Sequence, residues 1–130
     1  MKLEDLKIYK KAHKLAVEIH KLYLQLPKFE MHEEGSQIRR SSKSTSAQIV
    51  EGYSLRNYKN EYIHYLYRSY ASNRETKEHL DLLYETNSFN DGSQYKELCL
   101  EIDDLSRMIY AFINSVESKH IIRKANNQSA

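Results

Sequence analysis

Two Glu-x-x-His pairs stand out among the residues able to do chemistry: Glu61 with His64, and Glu117 with His120. On a helix this spacing sets a carboxylate and an imidazole on adjacent turns, and a four-helix bundle with two such pairs and two further inward glutamates can hold a carboxylate-bridged di-metal centre. Phase speaks against that use. At about 100° per residue His64 lies about 200° around the helix from Tyr62, which belongs to the apolar stripe of its segment, so the imidazole should point away from the core. The pairs also fall on consecutive helices, the third and the fourth, whereas ferritin-like sites draw them from the second and the fourth. No metal and no cofactor are expected. Other catalytic signals are missing: the sequence has no Gly-rich phosphate loop, no nucleophile elbow and no cysteine with an activating constellation. The lone Cys99 forms no internal disulfide and offers too few thiolates for zinc, which leaves it as a small apolar filler. His13, His20, His32 and His79 lie in strongly polar stretches and are expected on solvated faces. No enzymatic activity is expected.

Binding chemistry is better represented. Arg39, Arg40 and Lys43 cluster within little more than one helical turn, Arg56 and Lys59 follow across a bend, and Tyr53 and Tyr58 are interleaved with the later cations. Cations for phosphates and aromatic planes for bases are what a single-stranded nucleic acid requires, so Arg39, Arg40, Lys43, Arg56 and Lys59 are the candidate nucleic-acid contacts. A competing use of Arg39 and Arg40 is a structural network with carboxylates such as Glu51 or Glu75, and the commoner use of the tyrosines is in cores and subunit interfaces. Lys7, Lys10, Lys11, Lys14 and Lys21 give the first helix another basic face, for which solvation is the default.

The elements that must position these residues are helices. With one Pro and three Gly in 130 residues, breakers are scarce and mark the joints. From Glu4 to Leu26 the residues Ile8, Ala12, Leu15, Ile19, Leu22 and Leu26 recur at steps of four and three, broadened by Ala16 and Tyr23, and Pro27 ends the pattern. A polar loop follows to Gly35, and Ser36 is the expected N-cap of a second helix ending near Gly52. That helix is unusual: its in-phase positions Ile38, Ser42, Thr45 and Ile49 are small or hydroxylated in the middle. Hydroxyls compete for nearby backbone groups, so tertiary packing must hold it, and its small side chains permit close approach. A third helix, about Asn57 to Thr86, carries Tyr62, Leu66, Ser69, Asn73, Thr76, Leu80 and Leu83 in phase. Tyr58, Ile63, Tyr65, Tyr67 and Tyr70 spread over its other sides, more than one core needs, which assigns Tyr65, Tyr67 and Tyr70 to a subunit interface. After the turn signal Asn90-Asp91-Gly92-Ser93 a fourth helix shows Tyr95, Leu98, Ile102, Leu105, Ile109, Phe112 and Val116 in register. Short links force antiparallel neighbours, so the expected fold is an all-α, up-down-up-down four-helix bundle over residues 1–118 with a polar tail over 119–130.

Composition agrees with one such domain. At 40% hydrophobic and 29% charged, the chain has the balance of a globular protein, with no apolar run of the ~20 residues a membrane span requires. The N-terminal residues mix both charge signs and lack a signal-peptide core, so a cytoplasmic location is expected. Net charge is only +2, but residues 1–77 hold 15 Lys/Arg against 9 Asp/Glu while residues 78–130 hold 5 against 9. Such asymmetry can orient self-assembly or favour a polyanion on one surface.

The stretch Ser36-Gln37-Ile38-Arg39-Arg40, continued by Ala47, Ile49, Glu51, Gly52 and Tyr53, resembles the signature of the four-helix-bundle family encoded in intervening sequences of bacterial 23S rRNA genes. Asp5-Leu6, Ile8-Tyr9, Lys11-Ala12 and Leu26-Pro27 agree in the first helix, as do Glu61-Tyr62-Ile63, Leu66 and Glu75 in the third, and the similarity spans roughly Leu3 to Val116. The resemblance implies an antiparallel bundle assembled as a homopentameric ring, without known catalysis. It extends to the accessory variability determinant of diversity-generating retroelements, which works with a reverse transcriptase and nucleic acid, and so implies RNA, DNA or a reverse transcriptase as partner. The chain departs from the family pattern in the second helix, where Ser41-Ser42, Ser46 and Gln48 replace the usual Ala-Ala, Pro and Asn.

Overall fold

The computed structural model of the protein describes residues 2–129, and side chains for residues 2–119. The side chains of the expected tail beyond Lys119, that of His120 among them, therefore lie outside the described ones, while the backbone of that stretch to Ser129 is helical. Four long helices, α1 Lys7–Tyr23, α2 Glu34–Ser54, α3 Lys59–Glu85 and α4 Gly92–Ser129, make up the chain, with one-turn 3-10 helices at Leu3–Asp5 and Lys28–His32. The described residues contain no strand. The four expected helices are present, and none of the described helices is long and apolar enough to cross a membrane.

Phase decides what each helix buries. Ile8, Ala12, Leu15, Ala16, Ile19 and Leu22 form the inner face of α1. Tyr62, Leu66, Ser69, Asn73, Thr76, Leu80 and Leu83 do so in α3, the same seven positions that the periodicity marks. In α4 the stripe departs from strict heptad spacing at one place: Ile113 is fully buried and Phe112 only half-buried. A straight helix drifts about 20° per heptad against a strict seven-residue repeat, so along α4 the inner face moves toward the following position.

α2 makes its largest contact with α3, and among neighbouring helices the α1–α4 contact is the smallest. The α2–α3 seam is narrow and hydroxylated. Ser41 Oγ lies 2.8 Å from Thr76 Oγ1, Ser44 Oγ lies 3.0 Å from Ser72 Oγ, and the Ser69 hydroxyl donates to the Thr45 carbonyl at 2.7 Å. These links occur in opposite order along the two helices, so α2 and α3 are antiparallel. The first and third satisfy buried polar groups, the Ser44–Ser72 link is half-buried, and each contributes about 0.5–1.5 kcal/mol net. Gly52 stands inside α2 and does not end it: a Cβ there would meet Tyr65 Cβ at 3.1 Å, so the glycine is needed for the close approach of α3.

The start of α2 also differs from expectation. The helix begins at Glu34, and Ser36 is buried in its first turn without acting as the cap. Glu30, on the 3-10 turn before it, takes that role: its Oε1 accepts the Gly35 N–H at 3.2 Å and its Oε2 accepts the Ser88 hydroxyl at 2.6 Å. A carboxylate at a helix N-terminus satisfies a free N–H and favours the positive end of the helix dipole. Glu30 is only 3% exposed and ties the α1–α2 connection to the α3–α4 connection. The last of these carries Asn87 at φ 65, and α4 starts where Asp91 Oδ1 accepts the Gln94 N–H at 3.1 Å.

Candidate functional site

The basic residues of α2 divide by phase. Arg39 is half-buried and turns toward α1, where its guanidinium lies 5.0 Å above the Tyr23 ring. Its Nε is buried with no hydrogen-bond partner among the described residues. Arg40 and Lys43 point outward and are exposed. Neither Arg39 nor Arg40 forms an ion pair with Glu51 or Glu75; the ion pairs among the described side chains are elsewhere.

Arg56 sits in the turn after α2 and is held there. Its guanidinium stacks 4.3 Å over the Tyr53 ring while Nη1 donates to the Tyr53 carbonyl at 3.1 Å. Lys59 is half-buried at the first position of α3. From Lys43 to the end of α2 at Ser54 the helix rises about 16 Å, so the five cations make two patches and not one surface. Arg40 and Lys43 form the first, Arg56 and Lys59 the second, and Arg39 is a packing residue beside the first.

Of the three tyrosines expected at a subunit interface, only Tyr67 is largely exposed, at 45%. Tyr65 is half-buried against Gly52 and the His64 ring, and Tyr70 is half-buried with its ring 6.1 Å from that of Tyr110 on α4. Tyr70 and Tyr110 belong to a recess of about 470 Å³ between α3 and α4 that Arg74, Asp103, Arg107 and Asn114 also line. Sequence reasoning missed this recess, although Tyr70 with Arg74 and Arg107 with Tyr110 stand at helical spacing. Arg74 pairs with Asp103 at 2.9 Å, and Arg107 pairs with Asp104, so their charge is largely answered on the spot.

Two histidine assignments need correction. His79 is not on a solvated face: its side chain is 14% exposed and Nδ1 lies 2.5 Å from Glu34 Oε2 on α2. The polar residues around it in sequence point to other sides of α3, while phase turns the ring toward the start of α2. His20 is half-buried beside Tyr23. His13 and His32 are exposed. Glu61 and His64 are exposed too, which fits the phase argument against an inward Glu-x-x-His pair, and no group of three or more potential metal ligands is gathered among the described residues.

A polar cluster between α3 and α4 surrounds the lone cysteine. Lys77 Nζ is 2.9 Å from both Asp81 carboxylate oxygens, and the Tyr95 hydroxyl donates to Asp81 Oδ1 at 2.6 Å. Burial pushes the Cys99 thiol up despite the Tyr95 hydroxyl and the Lys77 ammonium nearby. Cys99 is therefore held as a thiol, the opposite of what a nucleophile needs.

The sequence profile described as 23S rRNA-intervening sequence protein matches residues 4–111. The chain belongs to this family. Among solved structures it is similar to a protein of unknown function from the S23 ribosomal protein family of Bacteroides thetaiotaomicron, with 25% identity, 82% of this chain and 97% of that one covered, and a TM-score of 0.70. No curated protein matches it. The match covers α1, α2, α3 and the first half of α4, and with them both cationic patches and the hydroxylated α2–α3 seam.

Proposed function

We propose that this chain is a non-enzymatic, cytoplasmic binding module, an up-down-up-down bundle assembled as a homo-oligomeric, pentameric ring that binds nucleic acid or a nucleic-acid enzyme. The observation that carries this reading is the outward pair Arg40 and Lys43 on α2, exposed and without an ion-pair partner among the described residues. Unanswered cations on a rigid helix are suited to phosphates, and repetition around a ring would multiply weak contacts. Membership of a family named for an rRNA intervening sequence supports a nucleic-acid setting. Arg56 and Lys59 would supply a second contact on the same protomer.

Fluorescence anisotropy with labelled single-stranded RNA and DNA tests it. Binding should weaken with salt, and Arg40→Ala with Lys43→Ala should lower the slope of log K against log salt by about 0.7 for each phosphate no longer neutralised. No binding at low salt by an intact oligomer would refute direct contact.

A protein-only scaffold is the second reading, favoured by the exposed aromatic surface of α3. Tyr67 leads that surface, with Tyr70 half-buried on its α4 side and Tyr65 half-buried on its α2 side. Polar replacement of Tyr65, Tyr67 and Tyr70 should give smaller species by light scattering, and an unchanged mass would remove these residues from the interface.

A further inference from the structure

An open groove lies at one end of the bundle, away from Arg40 and Lys43, where the start of α1, the α2–α3 turn and the later turns of α4 meet. Its volume is about 920 Å³. Leu6, Ile8, Tyr62, Met108, Phe112 and Val116 make an apolar floor, with Tyr62 and Phe112 meeting edge to face at 6.0 Å. Lys7, Arg56 and Lys119 line the same groove and are all exposed. Asp5 is the one acidic residue among those that line it, and its Oδ2 already accepts the Lys2 N–H at 3.0 Å.

We infer that this groove binds a small amphipathic anion, a carboxylate carried on an aliphatic chain. The size falls in the range of about 300–1,000 Å³ usual for small-molecule sites. An apolar floor with three cations and one already engaged carboxylate along its walls is complementary to an apolar body with a single negative head. Arg56 is the best-placed partner for that head, because stacking on Tyr53 and the bond to the Tyr53 carbonyl fix its guanidinium before any ligand arrives. The Tyr62 hydroxyl adds a neutral donor at the floor: burial first, and then Tyr53, push its pKa up to about 12 against the opposing charge of Arg56.

Dodecanoate below its micellar concentration, titrated calorimetrically into the full chain, tests the inference, with dodecyltrimethylammonium as the same tail bearing the opposite charge. Dodecanoate should bind saturably at one site per chain, and the ammonium should bind at least tenfold more weakly. Amide shifts in ¹⁵N spectra should concentrate at residues 6–8, 53–57 and 108–116. Arg56→Gln with Lys7→Gln, both exposed positions, should weaken dodecanoate at least tenfold without changing the far-UV circular dichroism. Equal binding of the two amphiphiles, full affinity in the double variant, or no saturable binding would each overturn the inference. Arg40→Ala with Lys43→Ala should leave dodecanoate binding unchanged, so failure here and failure of the nucleic-acid reading are separable.

Discussion

Replacing Glu101 by Gln is expected to stabilise the protein above neutral pH and to change little near pH 5. Glu101 on α4 faces Glu18 on α1, across the most loosely packed of the neighbouring helix pairs. Burial raises its pKa most, followed by the hydrogen bond with Glu18, the Glu18 charge and, more weakly, Glu97; Lys11 opposes them, and the result is about 7 against an ordinary 4.5. A carboxyl with a raised folded-state pKa holds its proton in the native state after the unfolded chain has released it. Its contribution is complete below about pH 4.5 and is lost as pH rises through about 7. At about 1.36 kcal/mol per pH unit the interval bounds the loss at about 3 kcal/mol. Water reaches this pair, since the Glu18 side chain is 32% exposed, and solvent screening reduces the expected effect to about 1–2 kcal/mol. Urea unfolding of both proteins at one protein concentration, at about pH 5, 7 and 8.5, measures the difference directly, and other titrating groups cancel in it. Glu101→Gln should gain about 1–2 kcal/mol at the highest pH and nothing at the lowest, with Glu18→Gln showing the same sign. A difference independent of pH, or a loss at pH 8.5, would refute the shared-proton argument.

Gly35→Ala should cost more than about 2 kcal/mol, because the new Cβ would lie 2.6 Å from the Glu30 carbonyl oxygen, a backbone atom that cannot swing away; a thermal melt lowered by several degrees checks it. Asn73 is fully buried and its Nδ2 donates to both the Ile102 carbonyl and Ser106 Oγ at 2.8 Å. Asn73→Ala should cost about 2–3 kcal/mol in urea unfolding, while Asn73→Leu with Ser106→Ala should recover much of it, since an apolar pair leaves fewer buried polar groups unpaired.

The inner faces were legible because phase, and not hydrophobicity, marks them. Ser69, Asn73 and Thr76 are polar, yet their spacing from Leu66 and Leu80 places them inside α3, and all three are fully buried. Glu30 and His79 were not legible for the complementary reason. A buried carboxylate is tolerable only when its partners are in place, and the partner hydroxyl of Glu30 is on Ser88, 58 residues along the chain, while His79 meets Glu34 at a separation of 45. No local pattern encodes either meeting. The candidate cationic site fell between these cases. Types and spacing nominated its residues, but sequence proximity implied one patch where the rise of α2 makes two and phase turns Arg39 toward α1.

The hydroxylated seam explains why the fold holds α2 where it does. Its serines and threonine give α2 little helical preference of its own, because their side chains offer the backbone alternative partners. Against α3 the same groups become cross-helix links at 2.7–3.0 Å, and their small size lets the two helices approach closely enough to require Gly52. Folding of α2 is therefore conditional on α3. An apolar seam would tolerate sliding by a turn, whereas Ser41 with Thr76, Ser44 with Ser72 and Ser69 with the Thr45 carbonyl favour one register, since a slip breaks these cross-helix links, each worth about 0.5–1.5 kcal/mol net. That register fixes which way Arg40 and Lys43 face relative to Tyr67, and so the geometry that both proposed surfaces present to a partner.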